Sequence, residues 1–188
     1  MKISVIILII AIVLAGAALT IVVRRGLSAR DEPTLMEEII ARSVRHFATP
    51  AAMRQRRNPV PLTDAVLAEA RAHWADHCAT CHANDGSGQT EIGRNLYPKA
   101  PDMRKARTQN LTDGELFSII RNGIRLTGMP AWGDPAGHDD EDNWELVHFI
   151  RHLPKITPQE LEEMKSRNPV NPAEMKEEQQ EKKFLEGH

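Results

Sequence analysis

Two cysteines and a histidine lie together near the middle of the chain, in the run Cys78-Ala79-Thr80-Cys81-His82. The protein has no other cysteine. The C-x-x-C-H spacing is that of covalent haem attachment, in which two thiols add to the two vinyl groups on one edge of a porphyrin. The histidine that follows can then give its imidazole to the iron. The motif predicts one haem c held by two thioethers from Cys78 and Cys81, with His82 as an axial ligand.

Two other uses of a C-x-x-C pair compete with this interpretation. Half of a zinc site is one, but no second C-x-x-C or H-x3–5-H follows at the spacing of a zinc finger. A thioredoxin-like redox pair is the other, and it would need alternating strands and helices, which this sequence does not indicate. Haem attachment is the favoured interpretation.

A methionine is the best candidate for the second iron ligand. Its thioether is soft, and opposite histidine it raises the reduction potential of electron-transfer haems. Met129 lies between Gly128, which allows a close backbone approach, and Pro130, which holds Met129 extended. We therefore predict that His82 and Met129 bind the metal. The alternatives are Met103, a histidine such as His138, or an open sixth position.

The chain begins with an apolar segment. Ile3–Val23 is 21 residues long and has no charge, which corresponds to about 31 Å as a helix. Ala15-Gly16-Ala17 would satisfy the rule for signal cleavage, but cleavage there would leave an apolar stub. Residues 1–23 are therefore predicted to be a transmembrane anchor, or an uncleaved signal.

Two observations disagree on the orientation of this anchor. Arg24 and Arg25 follow the span while only Lys2 precedes it, which favours a cytoplasmic C-terminus. The motif resembles those to which bacteria attach haem outside the cytoplasmic membrane. We give this more weight for the orientation than the charge of the two arginines. We expect a single-pass protein of the cytoplasmic membrane whose haem domain faces the periplasm.

Residues 24–62 form a basic juxtamembrane segment with eight basic and four acidic residues. An amphipathic helix is predicted over 33–47, beginning at a Thr-x-x-Glu capping box. Its apolar stripe is expected to pack on the haem domain or on a partner subunit, and a helix lying on the membrane is the alternative. The stripe comprises Met36, Ile39, Ile40, Val44 and Phe47. If the whole segment were coil, the domain would range roughly 35 Å from its anchor.

Residues 63–154 have the pattern of a single all-α domain. Thr63 caps a helix that runs into the cysteine motif, and a capping box at Thr112 opens a second helix that Gly123 ends. A third helix is expected from about Asp140 to Leu153. The remaining residues, 155–188, are rich in Glu, Lys and Gln and predict a solvated, charged C-terminal tail.

These motifs resemble class I (monohaem) cytochromes c, and more closely the membrane-anchored bacterial type. The matching runs are Cys78–His82, Thr112–Phe117 and Gly128–Trp132, and the resemblance covers 63–154. It implies a fold in which the first and last helices cross, here through Ala70 and Trp74 against Trp144 and Val147. It also implies that the Pro101 carbonyl accepts the ring N–H of His82. Two positions where the family often has glycine are here Ala70 and Ala83.

The expected function is single-electron transfer by a membrane-tethered cytochrome, not an enzyme. Both axial positions are filled, so no small-molecule substrate is expected. The partners are expected to be membrane-bound redox proteins or a respiratory complex, and the net charge of −2 gives no indication of nucleic acid. The alternatives are a fixed haem subunit of a larger respiratory complex, and an open-site haem peroxidase or sensor.

Overall fold

The computed structural model describes residues 2–26, 28–135, 140–169 and 180–185. His138, considered above as an alternative ligand, lies outside the described residues. Within the described ranges no β-strand occurs, and the predicted all-α fold with an N-terminal apolar helix is confirmed.

In the described part of the chain, six helices are eight residues or longer, and several shorter turns connect them. The longer helices are α1 (Lys2–Arg25), α2 (Leu35–Ala48), α4 (Asp64–His73), α8 (Asp113–Asn122), α9 (Glu141–His152) and α10 (Pro158–Lys165). The short ones are α3 (Ala51–Arg54), α5 (Ala79–His82), α6 (Glu91–Asn95) and α7 (Ala106–Gln109), with a π-helical turn at Trp74–Cys78 and a 3-10 turn at Leu153–Lys155. Residues 180–185 are also helical.

Helix α1 is long and apolar enough to cross a membrane over Ile3–Arg24. None of its most apolar stretch is buried against the rest of the described chain. An apolar helix of this length needs a non-aqueous surrounding, and the bilayer core supplies one. The helix therefore fits membrane anchoring.

The expected N-terminal caps are formed. Thr34 and Thr112 each close a capping box, with Glu37 and Glu115 accepting from the backbone N–H of the capping threonine. Thr63 accepts from the N–H of Val66 at 3.2 Å and so caps α4. These local hydrogen bonds explain why the helices begin where the sequence predicted.

The core lies where α4 and α8 pack on α9. Trp74 contacts Phe149 with ring centroids 5.4 Å apart. Phe117 stacks on Trp144 at 4.0 Å. Ala70, Trp74, Trp144 and Val147, expected at the crossing of the first and last helices, are all buried. The crossing angle itself stays a prediction.

The segment that follows the anchor is not a free coil. The short helix α3 packs so closely on α8 that a Cβ added to Gly114 would lie 1.8 Å from the Met53 carbonyl oxygen. The Asn58 amide donates to the Trp144 carbonyl at 2.8 Å, and Val60 is 8% exposed in the core. The range of roughly 35 Å expected for a flexible chain therefore does not apply, because these contacts hold the segment on the domain.

The beginning of the expected tail is also part of the packed structure. Met164 on α10 is 1% exposed. Arg71 of α4 donates to Glu160 at 2.9 Å and to Glu163 at 2.8 Å. The expectation of a solvated segment fails here because one buried methionine and these ion pairs hold α10 against α4. Residues 180–185 are exposed, as expected for a charged tail.

Candidate haem-binding site

The cysteine motif lies directly after a change in helix geometry. Helix α4 passes into the π-helical turn Trp74–Cys78, in which the Ala79 N–H reaches back to the Trp74 carbonyl. A π turn inserts one residue into a helix and rotates the residues after it, and such turns are frequent at functional sites. The short helix α5 then carries Cys81 and His82. The sequence predicts the first thiol at the end of a helix, but it gives no sign of the π turn.

Both cysteine side chains are half-buried, and no disulfide joins them. Burial raises the pKa of Cys78 to about 12, with a further contribution from Cys81, and burial also raises the pKa of Cys81. A catalytic redox pair needs the opposite, because its attacking cysteine is a thiolate with a lowered pKa. The surroundings of the two thiols therefore do not support a thioredoxin-like use.

His82 is buried, with 8% of its surface exposed. Burial lowers the pKa of its imidazole to about 4, so the ring is neutral at pH 7. Neutral imidazole is the form that binds a metal. The Trp74 ring packs beside it at 5.8 Å and limits the rotation of the imidazole.

The hydrogen bond expected from the His82 ring to the Pro101 carbonyl is not formed. The buried Nδ1 atom of His82 has no hydrogen-bond partner. The neighbouring carbonyls are instead packed against Gly88, whose Cβ position would lie 2.3 Å from the Ala100 oxygen and 3.3 Å from the Pro101 oxygen. An unpaired polar atom in a buried site is costly. Cys78 and Cys81 are not joined to each other, and beside them lies the neutral imidazole of His82, whose Nδ1 has no hydrogen-bond partner. This set of donor atoms fits haem c.

Ala83, directly after the histidine, has a strained backbone. Its φ of 61° and ψ of 160° lie in a region that is nearly exclusive to glycine. The indole N–H of Trp74 donates to the Ala83 carbonyl at 3.0 Å, which holds this conformation. The chain can then turn sharply away from α5, leaving His82 at the end of the helix. This is one of the two positions where the resemblance implied glycine.

Thr90 and Gly93 also contact the cysteine motif, at the carbonyl of Cys81. The Thr90 hydroxyl donates to the Cys81 carbonyl at 3.1 Å and also accepts from the Gly93 N–H at 2.8 Å. A Cβ at Gly93 would lie 2.2 Å from the Cys81 oxygen. This support was not predicted from the sequence, although a glycine inside the short run Glu91–Asn95 was a possible signal of close backbone approach.

Met129 is half-buried in a loop, as the sequence predicted, and backbone bonds fix the loop. Its carbonyl accepts from the Ile124 N–H at 3.1 Å, and its N–H donates to the Thr127 hydroxyl at 3.1 Å. After it, the Trp132 N–H donates to the Ile120 carbonyl at 3.0 Å. The loop is therefore bonded to itself through Ile124 and Thr127 and to α8 after Met129, which leaves the thioether on a fixed backbone.

The structure brings the Met129 loop next to the cysteine motif. Leu96, at the end of the α6 segment that packs on Cys81, lies 2.6 Å from a Cβ position at Gly128. Trp132 meets His77, one residue before Cys78, with ring centroids 5.4 Å apart. These two contacts place the segment that carries Met129 beside the segment that carries the cysteine motif.

The other candidate ligands are engaged in core packing or in hydrogen bonds of their own. Met103 is a core residue, 9% exposed, whose N–H donates to the Gly86 carbonyl. Met164 is on α10 and is buried. His148 and His152 are engaged with the Val60 carbonyl and Glu160. Among the described residues no group of three or more His, Cys, Asp or Glu side chains is arranged to hold a metal ion.

Comparison with known families agrees with this geometry. Residues 65–150 match the family model described as cytochrome c oxidase, cbb3-type, subunit III. This segment of the chain is therefore a c-type cytochrome domain, of the class that binds haem c and transfers electrons. No curated protein in the comparison matches the chain.

Proposed function

We propose that the protein is a membrane-tethered c-type cytochrome that carries single electrons through one haem with His/Met ligation. Cys78 and Cys81 hold the haem by two thioethers, His82 gives its imidazole to one side of the iron, and Met129 gives its thioether to the other. The observation that carries the proposal is the contact between the two ligand segments, through Trp132 on His77 and Leu96 on Gly128.

The chain's own residues hold the proposed iron ligands in fixed positions and bury them in part. Haem iron with two strong protein ligands exchanges one electron without forming a bond to a substrate, so we infer no catalytic residue. Trp74 and the strained Ala83 fix the position of His82, and the hydrogen bonds within the Met129 loop and from it to α8 hold the backbone that carries the thioether. A site that changes little between two oxidation states needs little reorganisation.

The test of this ligation replaces each candidate methionine by leucine, which has a similar volume. Met129→Leu should retain covalently attached haem but lose the long-wavelength absorption band that methionine sulfur gives to ferric haem, and it should lower the reduction potential. Met103→Leu is the matched control and should retain the band. Retention of the band in Met129→Leu, or ready binding of carbon monoxide by the wild-type iron, would contradict the proposal and favour an open-site peroxidase or sensor.

A second candidate function is a fixed haem subunit of a membrane respiratory complex. The description of the matching family, an oxidase subunit, favours it. The haem domain would face the periplasm in either case. Gentle solubilisation distinguishes the two: a free carrier should migrate alone in native electrophoresis with haem staining, whereas a subunit should remain in an assembly of much larger mass.

A further inference from the structure

Helix α2 directs an apolar face away from the rest of the protein. We propose that this face lies in the interface of the membrane that α1 enters, so that α2 is an in-plane membrane helix carrying the cytochrome domain on its other side. The inference goes beyond the proposed electron transfer and does not depend on how the iron is ligated.

The apolar residues of α2 have no cover in the described chain. All of them are between 49% and 83% exposed, namely Leu35, Met36, Ile39, Ile40, Val44 and Phe47. With 3.6 residues per turn, the last five lie on one side of the helix. An exposed contiguous stripe of this kind marks an interaction surface.

The opposite side of the same helix faces the domain. Glu38 on that side pairs with Arg107 at 3.0 Å. At the last turn of the helix, His46, which lies at the edge of the stripe, also contacts Glu115 at 3.3 Å. Glu38 and Arg45 are the half-buried residues of α2, and they lie across the helix from the apolar stripe. An amphipathic helix normally packs its apolar side on its own domain. Here that arrangement is reversed, so the expectation that the stripe covers the haem domain is wrong.

The position of α2 in the chain identifies what can cover its apolar side. Only nine residues, 26–34, separate the end of α1 from the start of α2. Fully extended, they span at most about 30 Å. Whenever α1 is inserted, the stripe is therefore within reach of the bilayer, and it needs no encounter with another protein.

The charges of α2 are compatible with an interfacial position. The helix has two acidic and two basic residues. Both carboxylates are engaged within the protein, Glu37 with the N–H of Thr34 and Glu38 with Arg107. Attachment would therefore come from buried apolar area rather than from attraction to anionic lipids, and a zwitterionic bilayer should suffice.

Photo-crosslinking of the full-length protein tests the proposal. A diazirine-bearing amino acid is placed at position 47 in place of Phe47, or at position 41 in place of Ala41, an exposed residue of α2 outside the stripe. Each protein is reconstituted in phosphatidylcholine vesicles and illuminated, and lipid adducts are counted by mass spectrometry. We expect at least tenfold more lipid adduct at position 47 than at position 41.

Equal adduct yields at the two positions would overturn the proposal. So would a protein adduct in place of lipid at position 47 when the same variants are illuminated in native membranes, because the stripe would then cover a partner subunit. The same probe at Val44 provides a second position on the stripe should the substitution at Phe47 prevent folding.

Discussion

Ala83 provides a test of strain at the scale of one residue. A non-glycine residue at φ 61° and ψ 160° costs about 1–3 kcal/mol. Replacing Ala83 by glycine removes this cost, although glycine also increases the entropy of the unfolded chain. We expect Ala83→Gly to raise the free energy of unfolding by about 1 kcal/mol, measured by urea titration of the haem-loaded protein.

The same substitution in a helix is the control. Ala72 lies inside α4, where glycine costs roughly 0.5–1 kcal/mol relative to alanine. Ala72→Gly should therefore destabilise the protein. If both substitutions destabilise it to the same extent, the backbone at Ala83 is not strained.

The proposed ligands could be chosen from the sequence because their chemistry depends on local spacing. Cys78 and His82 follow from a five-residue motif, and Met129 from its position between glycine and proline. The π turn before Cys78 and the contact of Gly93 with the Cys81 carbonyl depend on tertiary packing. The Pro101 hydrogen bond came from resemblance alone, and the structure does not contain it.

At the scale of elements, the carboxylate of Glu160 contributes to holding α10 on the domain. Glu160 accepts from Arg71 and contacts His152, each at 2.9 Å. Burial alone would raise its pKa, but hydrogen bonds from the Thr157 backbone N–H and from the His152 and Thr157 side chains lower the pKa from 4.5 to about 2. The ionised form is therefore the one that the folded state stabilises.

The pH dependence follows from this lowered pKa. The contribution of Glu160 to stability is fully present above pH 4.5, the ordinary value, and is lost as the pH falls toward 2. Glu160→Gln should cost about 1–3 kcal/mol at pH 7, and the difference from wild type should shrink over this acid range. Urea titrations at several pH values measure it.

Glu162 on the same helix is the control for Glu160. Its side chain is 72% exposed and pairs only with Lys165 within the described contacts. Glu162→Gln should change stability by less than about 0.5 kcal/mol at any pH. An equal effect of the two substitutions would mean that α10 is not held through Glu160.

The starts of the helices could be predicted because capping depends on neighbouring residues. The way the helices dock could not be predicted, because it depends on residues far apart in the sequence. Thr34, Thr63 and Thr112 each cap the helix that the sequence assigned to them. The apolar stripe of α2 was visible in the sequence, but not which side of the helix would face the domain. That choice depends on ion pairs between residues about 70 positions apart, such as Glu38 with Arg107.

At the scale of the whole molecule, the folded unit is larger than the segment 63–154. Val60 and Met53 pack against the core on one side, and Met164 and Leu161 on the other. A protein of residues 63–154 should be less stable than one of residues 50–169 by at least about 3 kcal/mol, because it loses several buried apolar side chains. Urea unfolding of both haem-loaded forms, without α1, provides the comparison.

Equal unfolding free energies for the two forms would show that the flanking segments only rest on the domain surface. Charge composition was a poor guide to these limits. The segments 24–62 and 155–188 are rich in charge, yet a few apolar residues within 53–60 and 156–164 are enough to dock those parts of them.

The short connection between α1 and α2 has a consequence for encounter kinetics. With nine residues between the two helices and the following segment held on the domain, the haem would travel with its anchor in the plane of the membrane. Collisions with membrane-bound partners would then depend on lateral diffusion and on surface density. Dilution of the vesicles should leave the rate of electron exchange within each vesicle unchanged.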